Sequence, residues 1–291
     1  MTARHGLIEA GGTKFVLAVA DGAGHILARH RIATTRPDET LGQAIDWFEG
    51  HGPFESFGIA AFGPLQLDRG APYWGHILAT TKPNWDMTDL VGPFARAFGC
   101  RVAIDTDVNG AALGESPWGA GQGVRASVYL TIGTGIGGGA VVDGRILGGA
   151  GHPEMGHMGM PRHPDDLGFA GHCSFHGACL EGLASGPAIA ARFGCSLSDL
   201  PQGGAEQRMI AWYLAHAVAS LQAVLAPGRI IMGGGVMATP GLSDLIRAEA
   251  DSLGKGYFAV RASEIIVSPG LGDDAGLMGA FALSLTSGRS A

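Results

Sequence analysis

Charge is scarce in this chain: 15% of its 291 residues are Asp, Glu, Lys or Arg, and no run of Lys or Arg exceeds two residues. The net charge is −7, from 19 basic and 26 acidic residues. Nucleic acid is thereby excluded as a main partner, because phosphate contacts need clustered cations. Cysteine is scarce too, at four residues. Residues 1–7 are too few and too polar for a secretory leader, so the expectation is a cytoplasmic chain with reduced thiols. In that setting clustered Cys and His read as metal ligands, whereas the isolated Cys100 and Cys195 read as small buried side chains. One stretch, residues 209–228, lacks any charged residue and is long enough to span a bilayer. It carries His216, Ser220 and Gln222 and stops at Pro227-Gly228, so a buried core helix is expected and no membrane partner.

What the chain has in excess is glycine, 50 of 291 residues, or roughly 17% against a usual ~7%. With 46% hydrophobic residues the chain is globular, and the glycines point to tight turns and close backbone approaches to ligands. Strands are expected at residues 7–10, 15–20, 25–32, 57–61 and 101–104, with helices at 37–49, 87–98 and 108–118. The second half begins in the same way. A strand at 128–132 is followed by a glycine loop at 133–139, a strand at 140–142, an Asp143-Gly144 hairpin turn and a strand at 145–147. The repeated order of strand, Gly/Thr turn, strand and Asp-Gly turn reads as a duplicated βββ unit. Helices near 180–192, 205–225 and 242–253, strands at 229–232 and 264–267, and a last helix from 274 complete an α/β pattern. Two domains follow, 1–118 and 119–273, with residues 274–291 returning to the first. Two such units side by side would leave a cleft where ligands bind.

Three glycine turns could hold phosphate. Gly11-Gly12-Thr13-Lys14 joins two strands, unlike a Walker loop, which opens a helix. Successive backbone N–H groups there form a concave anion site, to which Thr13 and Lys14 add donors. Gly133-Thr134-Gly135 repeats that chemistry in the second half, and Gly233-Gly234-Gly235 lies between a strand and a helix. A lone Gly-Gly turn would read as a plain hairpin; two in duplicated units read as a nucleotide clamp. Asp107, at a strand–helix junction, is either a helix N-cap or the base that takes a proton from an attacking hydroxyl. Asn109 is either a solvent-facing first-turn residue or a hydroxyl ligand. Glu154 and Glu181 are either surface charge or acceptors for vicinal sugar hydroxyls.

Between those glutamates, in the segment 152–181, lies Cys173-x-x-His176-x-x-Cys179 with His157 upstream, a spacing suited to tetrahedral zinc. His152, His163 and His172 are also near enough to supply the fourth ligand. A metal-bound His157 would keep its second ring nitrogen for another partner.

In order along the chain, Glu9-Ala-Gly-Gly-Thr13-Lys14, Asp107-Val-Asn109 with Glu115, residues 133–139, Glu154-Met-Gly-His157 and Gly233-Gly-Gly235 resemble the ROK family of sugar kinases and repressors. The resemblance covers essentially the whole chain. It implies the duplicated actin-like ATPase (sugar kinase/hexokinase) fold, with two α/β domains around an ATP cleft, and a homodimer. It also implies Asp107 as catalytic base, and Asn109, Glu154, His157 and Glu181 as sugar ligands. ATP would lie on Gly11, Gly12, Thr13, Lys14, Gly133, Thr134, Gly135, Gly233, Gly234 and Gly235, with Pro187 near the adenosine. Glu9 departs from the family's usual Asp, and His176 stands where a cysteine is usual. These departures, with His152-Pro-Glu-Met-Gly-His157 and His163-Pro-Asp-Asp166, resemble the bacterial fructokinase branch, whose zinc ligands carry over to His157, Cys173, His176 and Cys179. About six residues precede the first strand, which leaves no room for the repressors' DNA-binding segment. The implied activity is phosphorylation of D-fructose at its 6-hydroxyl by Mg²⁺-ATP. The alternatives are a ROK kinase for glucose, mannose or an N-acyl amino sugar, and a non-catalytic sugar or nucleotide sensor on the same fold.

Overall fold

Residues 4–33 fold back on themselves twice, because Gly-rich turns interrupt otherwise apolar runs. Strand β1 (Arg4–Ala10) pairs antiparallel with β2 (Lys14–Asp21), and β2 with β3 (Ile26–Ala33). These strands come from a computed structural model that describes residues 3–80 and 82–286. Helix α1 (Pro37–Glu49) begins with Pro at its first turn and buries Leu41, Ala44 and Phe48. Strand β4 (Ser56–Ala61) is buried at every position, as a strand covered on both faces must be. It runs parallel to β1 and to β5 (Arg101–Thr106), giving the order β3-β2-β1-β4-β5. Phe48 meets Phe54, Phe57, Phe94 and Phe98 edge-on beside α2 (Gly92–Phe98). Phe48, Phe57 and Phe94 are buried, and each such ring stabilises by about 1.5–3 kcal/mol. Helix α3 (Asp107–Trp118) starts directly at the end of β5.

The second sheet has the same order. Strands β6 (Ala126–Ile132), β7 (Ile136–Val142), β8 (Arg145–Ile146), β9 (Arg229–Gly233) and β10 (Ile266–Val267) lie as β10-β9-β6-β7-β8. β6 is antiparallel to β7 and parallel to β9, as β1 is to β2 and β4. The duplication expected from the glycine turns thus extends through the parallel strands. Helices α4 (Leu180–Ala184), α5 (Gly186–Phe193), α6 (Ala205–Leu225), α7 (Leu242–Gly254) and α8 (Ala262–Ile265) belong to this half. α6 buries Ile210, Tyr213, Leu214, Val218 and Leu221 and is a core helix. No helix among the described residues is long and apolar enough to cross a membrane.

Contacts divide the chain into two compact units. One comprises Met1–Gly119, Arg145–His152 and Gly270–Ala291; the other comprises Ala120–Gly144 and Pro153–Pro269. Residues 145–152 cluster with the first unit although they follow the second unit's hairpin. The last helix, α9 (Ala275–Thr286), packs on α3, β4 and β1, and its expected continuation over 287–291 lies outside the described residues. α3 and α9 approach closely because both are glycine-bearing: a Cβ on Gly114 would lie 2.8 Å from the Gly279 nitrogen. Gly279 lies as close to Gly110, in the first turn of α3 with Asp107 and Asn109.

Four local expectations fail for identifiable reasons. The helix expected from 87 starts at Gly92, because Met87 has φ 57 and the Asp89 side chain accepts from Val91 N and Gly92 N. The loop expected at 133–139 is strand from Ile136 onward: Gly137, Gly138 and Gly139 pair with Thr131, Leu130 and Tyr129. Glycine is needed there for contact rather than for turning, since a Cβ on Gly138 would lie 2.7 Å from Leu130 Cδ2 and Met155 Sδ. The helix expected at 180–192 breaks at Ser185, whose extended backbone ends α4 and whose hydroxyl caps α5. The strand expected from 264 is helical (α8) until Ile265.

Candidate active-site residues

In the first unit, the turn between β1 and β2 is held from behind. Gly11 N donates to Lys14 O at 3.0 Å, Thr34 Oγ1 donates to Gly11 O at 2.7 Å, and Thr34 N donates to Thr13 O at 3.0 Å. Gly12, Thr13 and Lys14 are left exposed, which suits an anion-binding turn. Glu9, near the end of β1, is half-buried. Burial pushes its carboxyl above the usual range, Lys14 pulls it back, and the negative charge of Asp107 pushes it up again. Glu9, Lys14 and Asp107 therefore share one electrostatic neighbourhood.

Asp107 is not the N-cap. Thr106 takes that position, with an extended backbone and a hydroxyl that accepts from Asn109 N at 3.2 Å, and Asp107 is the first, exposed residue of α3. The Asp107 carboxylate accepts from Val108 N at 2.9 Å. Asn109 is buried rather than solvent-facing, at 1% exposure. Its Nδ2 donates to Asp105 Oδ1 at 2.7 Å, and its Oδ1 is buried without a partner. The same Asp105 oxygen accepts from Thr106 N at 2.8 Å. Burial raises the Asp105 pKa, opposed by those hydrogen bonds and by His152. Asp105, Asn109 and His152 border a cavity of about 690 Å³ within this unit. Asp105 escaped the sequence reading; the available signal was its four-residue spacing to Asn109 across the strand–helix junction. Glu115 accepts from Gly270 N and Leu271 N through both oxygens, holding the approach to α9.

In the second unit, Gly133, Thr134, Pro187 and Gly235 line one cavity of about 500 Å³ whose walls include Ile189, Leu197 and Val236. The break at Ser185 explains how Pro187 arrives there. Gly186 N donates to Gly133 O at 2.8 Å, so the start of α5 is pinned to the loop after β6. Gly233 closes β9 and Gly234, at φ 92, turns the chain so that Gly235 faces the cavity wall. Glu181, on α4, reaches the same loop: Ile136 N donates to its Oε2 at 2.9 Å. This carboxylate is fixed rather than surface charge. Glu154 is exposed and leads into a short 3-10 turn, residues 155–157, in which His157 N donates to Glu154 O.

His157, Cys173, His176 and Cys179 place one donor atom each within 4.8 Å of one another. His157 Nδ1 lies 3.8 Å from Cys173 Sγ and 3.5 Å from Cys179 Sγ, and His176 Nδ1 lies 3.8 Å from Cys173 Sγ. A tetrahedral ion with about 2.3 Å bonds to sulfur and about 2.05 Å bonds to nitrogen has N–S edges of about 3.6 Å. The donor set and its spacing fit such an ion. His163 is engaged elsewhere, accepting from Asp165 N and packing on Trp212. A nearby buried pair, Arg192 with Asp166 at 2.9 Å, is completed by the Tyr213 hydroxyl and holds the 162–169 loop.

The ROK family model matches residues 5–287. A fructokinase of Zymomonas mobilis is 52% identical over 97% of this chain and 96% of its own length. A fructokinase of Lactococcus lactis subsp. cremoris is 41% identical over 90% and 89% of the two chains. Among solved structures, a ROK family glucokinase from Streptomyces griseus, in complex with glucose and AMPPNP, superposes with a TM-score of 0.74 at 26% identity, covering 98% of this chain and all of that one.

Proposed function

The chain belongs to the ROK family, and from that premise we propose that it is a fructokinase, transferring the γ-phosphoryl group of ATP to the 6-hydroxyl of D-fructose. The observation that carries the reading is the full-length likeness to the Zymomonas mobilis fructokinase. In this reading ATP lies on residues 11–14, 133–135 and 233–235, with the adenosine near Pro187. The apolar second-unit cavity suits a flat base, and its loop N–H groups suit phosphate.

Asp107 acts as the base. Its carboxylate takes the 6-hydroxyl proton as that oxygen attacks the γ-phosphorus and ADP leaves, so the reaction needs an oriented nucleophile more than covalent help from the protein. Asn109, Glu154, His157 and Glu181 hold the sugar's other hydroxyls. Mg²⁺ bound with ATP would offset phosphate charge. Zinc on His157, Cys173, His176 and Cys179 performs no chemistry in this reading. Held there, it would tie the turn before His157 to the segment leading into Glu181. The enzyme would work in the cytoplasm as a homodimer, which light scattering checks.

ADP release coupled to NADH oxidation, measured over fructose, glucose, mannose and N-acetylmannosamine, tests the assignment. Fructose should be turned over with the highest kcat/KM. A higher value for any other sugar reassigns the substrate.

A further inference from the structure

Asn109 has a feature that the roles above leave unexplained. A side-chain amide can present either its carbonyl or its NH₂ to a ligand, and the two ends have nearly the same shape. Which end is offered decides whether the site accepts from a hydroxyl or donates to one. Here the choice is made by Asp105. A carboxylate in this position only accepts, and its Oδ1 already receives Thr106 N at 2.8 Å, which anchors that oxygen at the strand–helix junction. Asn109 must therefore turn its NH₂ toward Asp105, at 2.7 Å, leaving Oδ1 as a buried acceptor without a partner. A buried acceptor in that state is costly until something donates to it. Both residues border the first unit's cavity.

We propose that Asp105 is a positioning residue: it locks the Asn109 amide with its carbonyl oxygen reserved for a substrate hydroxyl, so that this hydroxyl is held as a donor. The proposal rests on Asn109 being a sugar ligand. The requirement at position 105 is an acceptor oxygen of fixed placement rather than negative charge. Asp105→Ala removes that oxygen and lets the amide rotate; Asp105→Asn keeps a carbonyl that Thr106 N can hold in place.

The experiment is a double-mutant cycle read by fructose KM, fructose Kd from calorimetry, and ATP KM. Asn109→Ala comes first: unchanged fructose KM and Kd would remove Asn109 from the sugar site, and the premise with it. With that premise intact, Asp105→Ala should raise fructose KM and Kd about tenfold or more while ATP KM stays within twofold. Asp105→Asn should restore fructose affinity to within a few-fold of wild type. In an Asn109→Ala background, Asp105→Ala should add no further loss. An equal additional loss in that background would overturn the proposal, because Asp105 would then act independently of Asn109. Failure of Asp105→Asn to restore affinity would overturn it as well.

Should Asp105→Ala not fold, the wild-type enzyme supplies the reading through the side-chain NH₂ signals of Asn109 in ¹⁵N spectra. Those protons should exchange slowly with and without fructose, since they stay on Asp105 while the carbonyl takes the sugar. A large fructose-dependent change in their exchange would place the NH₂ on the sugar and refute the arrangement.

Discussion

Gly135→Ala tests the link between the second phosphate loop and the proposed sugar ligand Glu181. Gly135 has a backbone conformation open to any residue, so alanine adds a methyl group without backbone strain. That methyl carbon would lie 2.7 Å from Glu181 Oε2. Ordinary carbon–oxygen contact needs about 3.3 Å, so the carboxylate must retreat by about 0.6 Å or the loop must lift by the same amount. The hydrogen bond from Ile136 N, now 2.9 Å, would then stretch to about the limit of a useful bond. Losing a hydrogen bond to a charged group costs about 1.5–3 kcal/mol in its local equilibrium. Because the obstructing atom is the end of a flexible side chain, global stability should change little, with the melting temperature falling by no more than a few degrees. Fructose kcat/KM, measured by coupled ADP release, should fall roughly 10- to 100-fold, as expected when a ligand-positioning group moves by a fraction of an ångström. Glu181→Asp in the same chain withdraws the carboxylate by one methylene and should recover part of the loss. Wild-type fructose kinetics in Gly135→Ala would refute the reasoning, showing that the placement of Glu181 does not matter to turnover.

Asp107→Asn should lower kcat by 10³-fold or more, with fructose Kd from calorimetry within a few-fold of wild type; near-normal turnover would remove Asp107 as base. Cys173→Ser should lose zinc, read by metal analysis of the purified protein, and should lower the melting temperature; unchanged metal content would overturn the ligand set. A pH dependence follows from Asp105, whose carboxyl is held above its ordinary value first by burial, against the pull of Asn109, Thr106 and His152. The folded chain therefore binds that proton more tightly than the unfolded chain, so this group lowers stability as pH rises from its ordinary value of 3.8 through the raised value. Asp105→Asn should gain stability relative to wild type as pH rises from about 4 to 7, read by thermal melts. A gain that shrinks over that range would contradict the stated cause.

Residue identity and spacing alone were enough to reveal the duplication. Two Gly/Thr turns, each between an apolar strand and a strand ending in Asp-Gly, announced two βββ units, and the sheets share one strand order. Three donors of the Cys/His cluster were also readable, since they fall within seven residues. His157 as the fourth came from the family resemblance, with His152, His163 and His172 also near in sequence. Glycine was where periodicity misled. Residues 137–139 look like a loop, yet they are strand, because Leu130 and Met155 press against the backbone that glycine leaves bare.

The helix break at Ser185 was equally hidden, since Ser-Gly-Pro within an apolar run is a start signal as well as an interruption. The hydrogen bond from Gly186 N to Gly133 O, contributed by a loop some fifty residues away, helps to hold it as a start. The sequence by itself determined which chemistries are present: carboxylates, anion-binding turns, a set of soft donors. Only the tertiary structure decided how individual atoms are used. It gave the cap of α3 to Thr106 rather than to Asp107. It buried Asn109 and turned its amide by means of Asp105, and it tied Glu181 to the loop after β6. Hydrogen-bond direction and burial depend on neighbours distant in the chain, and a pattern of residue types does not encode them.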